Sequence, residues 1–198
     1  TVNSELLARS PVSARGRWLT MVEILNRPIV RLLLVSFLAL PIQTTFFADV
    51  KFFGVAVQLM LGLAVSAGVI GGSENGALAG FTLGLMFDLV LSSPLGLLAF
   101  VYGLAGWAAG AVYSRTVPNP WWLNTLAVGL VSAFATVAQP VLANWVGVDG
   151  WISLRLIGVV AIVSVANMLL SLVTVPLMRW CLAIKRRELL SRFDDASV

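Results

Sequence analysis

Apolar residues in this chain come in long unbroken runs rather than in alternation with polar ones. Six runs approach or exceed the ~18 residues that cross a hydrocarbon core at about 1.5 Å per residue, near residues 29–48, 53–72, 76–92, 94–113, 121–145 and 154–182. A membrane barrel would need short alternating segments, which this pattern lacks. Lipid offers no partners to backbone N–H and C=O groups, and a helix satisfies its own. The pattern therefore predicts an all-α integral membrane protein, a bundle of six transmembrane helices at 29–183, with a cytoplasmic tail at 1–28 and a basic cytoplasmic tail at 184–198. Within the first tail, residues 17–26 place Trp18, Met21, Val22 and Leu25 on one side of a short interfacial helix. A plain tail is the alternative.

Composition strengthens this reading. The 198 residues are 59% hydrophobic and 11% charged, with a mean hydropathy of +0.96, too apolar to hide in one water-soluble core. The first 28 residues do not read as a cleavable signal, because no small-residue cleavage site follows the apolar run.

Charge sets the expected orientation, since basic residues of short loops stay on the cytoplasmic side. With both ends inside, Arg9, Arg15, Arg17, Arg27, Arg31, Arg115, Arg179, Lys185, Arg186, Arg187 and Arg192 are cytoplasmic, and only Lys51 and Arg155 are outside. The net charge of +4 then reflects topology and attraction to anionic membrane lipids, and no nucleic-acid partner is expected. Trp121, Trp122 and Trp180 fall near the inner boundary and Trp145 and Trp151 near the outer one, as aromatic belts do.

Candidate chemistry is sparse. There is no histidine and a single cysteine, Cys181, which removes histidine acid–base catalysis and cysteine–histidine metal sites. A paired-aspartate membrane protease needs two acids in the spans, and Asp88 is the only acidic residue inside one. No catalytic residue, metal site or cofactor is expected, so the chain reads as a non-enzyme. Asp88 costs about 2.5–3.5 kcal/mol near the centre of a membrane helix and calls for a partner or a role. Ser93 is a good N-cap and Pro94 suits the first helical position, so the Asp88 carboxylate is expected to receive the N–H groups that open the fourth helix and lock a structural hinge. Direct contact with a partner or an ion is the alternative.

Helices in lipid associate through close packing of small residues. Gly76, Gly80 and Gly84 repeat every four residues, and Gly96, Ala99, Gly103, Gly106 and Gly110 lie within about 80° of one another on a helix. These two faces serve helix packing within the bundle or receive the helix of a partner. Gln43, Thr44, Gln58, Gln139 and Asn167 add polar groups inside the spans, to be satisfied by interhelical hydrogen bonds or to line a small polar cavity.

The segment GALAGFTLGLMFDLVLSSPLGLLAFVYGLAGWAAG, residues 76–110, resembles the MreD family of bacterial rod-shape membrane proteins in its two glycine-rich helices and its Asp-Leu followed by a Ser-Pro-Leu-Gly turn. Gln43-Thr44-Thr45 is a weaker likeness. The resemblance implies a six-helix fold similar to the substrate-binding subunits of energy-coupling-factor vitamin transporters. It also implies a non-enzymatic scaffold of the elongasome in the bacterial cytoplasmic membrane. Such a scaffold binds a transmembrane helix of MreC and, through it, helps organise the RodA glycosyltransferase and a class B penicillin-binding transpeptidase for peptidoglycan synthesis. The alternative from another class is the substrate-binding membrane subunit of a vitamin transporter.

Overall fold

The computed structural model describes residues 28–46, 51–52, 55–91, 95–113, 121–147 and 155–182. Helix α1, Pro28–Pro41, opens on a proline whose missing N–H costs nothing at a helix start. Pro41 cannot donate to the preceding turn, and the chain widens there into a π-helical turn, Ile42–Phe46. A two-residue antiparallel ladder follows, β1 Lys51–Phe52 against β2 Val55–Ala56, with Lys51 opposite Ala56 and Phe52 opposite Val55. Then come α2 Leu59–Asp88, α3 Leu97–Tyr113, α4 Trp121–Trp145 and α5 Arg155–Cys181.

Helix α2 is not straight. Gly72 has φ 80° and ψ 179°, a conformation that only glycine adopts without strain. In a straight helix Gly68 and Gly76 would be about 12 Å apart. Here a methyl built on Gly76 would meet the Gly68 Cα at 2.5 Å, so the chain folds back into two arms, 59–71 and 73–88. Expectation and structure differ at several boundaries. The second run begins as strand and extended chain, and its helix starts only at Leu59. The third run ends its helix at Asp88, and the fourth starts its helix at Leu97. The small ladder is also a departure from an all-α chain.

Contacts between elements fix which ends lie together. The Arg31 guanidinium, near the start of α1, donates to the Trp180 carbonyl at 3.0 Å and lies over the Trp180 ring, 4.9 Å from its centroid. A methyl on Gly71 would meet the Leu182 side chain at 3.0 Å, and one on Gly110 would meet Ser73. The start of α1, the bend of α2 and the ends of α3 and α5 therefore share one end of the molecule. At the other end Gln43 reaches Val57 and Leu59, Gln58 reaches Gln139, and Asp88 reaches the start of α3. Successive helical segments thus alternate in direction.

The core is centred on the 59–71 arm, whose residues from Met60 to Val69 are all buried. A helix that is apolar all round belongs inside. Outer faces of the other helices stay greasy, with Phe37 73%, Phe134 76% and Ile157 75% exposed. Three helices, Pro28–Thr45, Trp121–Trp145 and Leu156–Cys181, are long and apolar enough to cross a membrane, and Leu97–Val112 is a shorter apolar helix. Trp121, Trp122, Trp145 and Trp180 are all exposed at helix ends. Trp151, the tail helix of 17–26 and the basic run 185–187 lie outside the described residues.

Candidate functional site: a glycine-joined helix pair and its outer groove

The 73–88 arm and α3 run side by side at backbone contact. A methyl on Gly80 would sit 2.7 Å from the Tyr102 carbonyl carbon and against its oxygen, and one on Gly84 would sit 2.6 Å from the Ala99 Cα. A methyl on Gly106 would meet the Gly76 carbonyl, with the Ala64 oxygen at 3.2 Å. Gly76, Gly80, Gly84, Gly106 and Gly110 are therefore used inside the molecule, where missing side chains let dispersion and weak Cα–H···O contacts act at short range. Gly68, which carried no expectation, joins this set, since a methyl there would strike the Gly106 carbonyl. Gly68 continues the same spacing of four, but it is the fold-back at Gly72 that brings it to α3 from the other arm.

Gly96 departs from its expected place on the α3 face. It precedes the helix, has φ 96°, and a methyl there would touch nothing within 4 Å. Its role is conformational, in the turn before α3, and its carbonyl accepts the first helical hydrogen bond, from Phe100 at 2.9 Å.

Asp88 is 1% exposed and closes this turn. Its carboxylate accepts the backbone N–H groups of Gly96 at 3.0 Å, Leu98 at 3.3 Å and Ala99 at 3.0 Å. An anion is disfavoured at the C-terminal end of its own helix, and the N-terminus of α3 offsets this with open donors and the positive end of its dipole. Asp88 thus caps the described start of α3. Ser93 and Pro94 themselves lie outside the described residues. Asp88→Asn puts an amide donor among N–H groups that need acceptors. It is expected to cost about 2–4 kcal/mol, since hydrogen bonds to a charged group contribute about 1.5–3 kcal/mol each. Thermal unfolding in detergent reads this, and an unchanged midpoint would show that the carboxylate is not what holds the turn.

Next to Asp88, the Phe87 and Tyr102 rings stack at 6.5 Å between centroids. The fully buried Tyr102 shares a side-chain hydrogen bond with Gln139. Gln139 and Gln58 exchange both amide bonds, at 3.2 and 3.3 Å. Gln43 clasps the start of α2, its Nε2 donating to the Val57 carbonyl and its Oε1 accepting from the Leu59 N–H, both at 2.7 Å. Thr44 is exposed and bonds its own helix at Leu40. Asn167 lies deeper, its Nδ2 donating to Ser132 Oγ at 3.1 Å. Its Oδ1 has no hydrogen-bond partner and packs 3.2 Å from where a Gly62 methyl would be. A second buried pair, Ser66 with Thr174 at 2.8 Å, lies about one turn past Gly62 on the 59–71 arm and about two turns past Asn167 on α5.

Of the two expectations for these five polar residues, hydrogen bonding and a shared small cavity, the contacts show the first. Gln58 and Gln139 pair, Gln43 serves as a cap, Thr44 faces outward and Asn167 bridges α5 to α4. Gln58→Leu is expected to cost about 1–2 kcal/mol by stranding an amide, and Gln139→Leu more, because Tyr102 loses a partner too. The double variant should be less destabilised than the sum of the two, by about 0.6–1.7 kcal/mol. Strict additivity in thermal unfolding would mean that the two amides do not interact.

On the outer side of the same helix pair is an open apolar groove of ≈ 470 Å³. Ala77, Ala99 and Gly103 form its floor, and Leu78, Phe81, Phe100, Leu104 and Trp107 its walls. Gly103 is the glycine of the pair with room beside it, for a methyl there would make only ordinary contacts, at 3.5 Å from the Ala77 oxygen and from Phe81 Cβ. The wall residues Leu78, Phe81, Phe100 and Trp107 are each at least half exposed. Among the described residues no group of acidic, cysteine or histidine side chains is placed to hold a metal ion.

Fold and site together define a helical protein that has, among the described residues, three helices of membrane-spanning length, joined by further apolar helices, and a tightly packed glycine-rich helix pair that presents an apolar groove outward. No family model, curated protein or solved structure matches the chain.

Proposed function

We propose that this chain is a multi-pass protein of the bacterial cytoplasmic membrane, crossing it six times with both ends inside, and that it works as an MreD-like scaffold of the elongasome. In this reading the arms 59–71 and 73–88 and helix α3 provide the short crossings. The end of the molecule that holds Arg31 and Trp180 faces the cytoplasm. One observation carries the docking role: the 76–110 helix pair spends most of its glycines on its own seam and still leaves Gly103 at the floor of an aromatic-walled groove. A transmembrane helix of MreC fits such a groove, because close approach over small residues is what joins helices in lipid. RodA and the class B penicillin-binding transpeptidase then associate through MreC.

The vitamin-subunit reading draws less support. A solute site needs a few convergent polar groups free to meet a ligand, whereas Gln43, Gln58 and Gln139 are bonded to protein partners. The deciding experiment is a pull-down of the tagged full-length chain from native membranes, with small molecules extracted from the same sample. Recovery of MreC is expected, with RodA and the transpeptidase present only when MreC is. Intact, monodisperse protein without MreC, or with a vitamin retained instead, would overturn the proposal.

A further inference from the structure

We draw no further inference here: the strongest candidate, the buried polar seam of Asn167, Ser132, Ser66 and Thr174 between the 59–71 arm, α4 and α5, has one unpartnered atom, Asn167 Oδ1, and that atom is packed directly against Gly62, so close helix approach accounts for it and nothing points to a ligand.

Discussion

Gly80→Ala is expected to destabilise the chain by about 3 kcal/mol or more, the upper end of what an added methyl does to a packed interior. The reason is geometric. The new carbon would lie 2.7 Å from the Tyr102 carbonyl carbon and closer still to its oxygen, and both belong to the backbone of α3, which no side-chain rotation can relieve. The two helices must separate, and separation also weakens the Asp88 cap, because Leu98 and Ala99 sit on the turn that moves. Gly158→Ala is the control, since a methyl there would touch nothing within 4 Å and alanine is the better helix former. Thermal unfolding in detergent should show a large drop for the first variant and no drop for the second. Equal midpoints would mean that the helix pair is not joined at backbone contact.

Gly103→Leu is expected to leave the fold within about 1 kcal/mol of the parent and to reduce recovery of MreC tenfold or more, a change worth about 1.4 kcal/mol or more of binding. The new side chain enters the groove from its floor and occupies the space a partner helix would need. Gly106→Leu is not an equivalent test, because Gly106 is pressed on the Gly76 and Ala64 carbonyls. Its loss of partner would only report loss of fold. Unchanged recovery of MreC with Gly103→Leu, at parental stability, would remove the groove as the docking surface and leave the fold untouched.

How much of this was legible in the sequence varied with the range of the interaction concerned. The runs at 121–145 and 154–182 correspond to α4 and α5 within about a residue, because each is a long apolar stretch that one continuous helix satisfies. Boundaries were misjudged where apolar residues are not helical. Hydropathy does not separate the extended residues 55–58 from the helix that follows them, since a strand and a helix in lipid draw on the same side chains. The fourth run is expected to open its helix at Pro94, a sound local start signal, whereas the described helix begins at Leu97; the Asp88 carboxylate that meets its donors lies eight to eleven residues upstream, and its need for a partner is legible because it is the lone acid in the spans. For the site, spacing identified the glycines of both helices but not which way each would face. Gly103 and Gly106 are three residues apart on one helix, and only the neighbouring arm decides that one is covered and the other open.

The 59–71 arm has a consequence for how the chain comes together. It is emplaced early in synthesis, yet Ser66 meets Thr174 across 108 positions of sequence, and Gly62 packs on Asn167 of the same final helix. Until α5 is made, that short segment lacks its hydroxyl partner and the part of its packing surface that α5 supplies, and the Arg31–Trp180 clasp is open. Maturation must therefore be a late event, completed only once α5 is in place. A chain truncated before residue 155 would leave the ribosome with its most enclosed segment still open on the side that α5 covers.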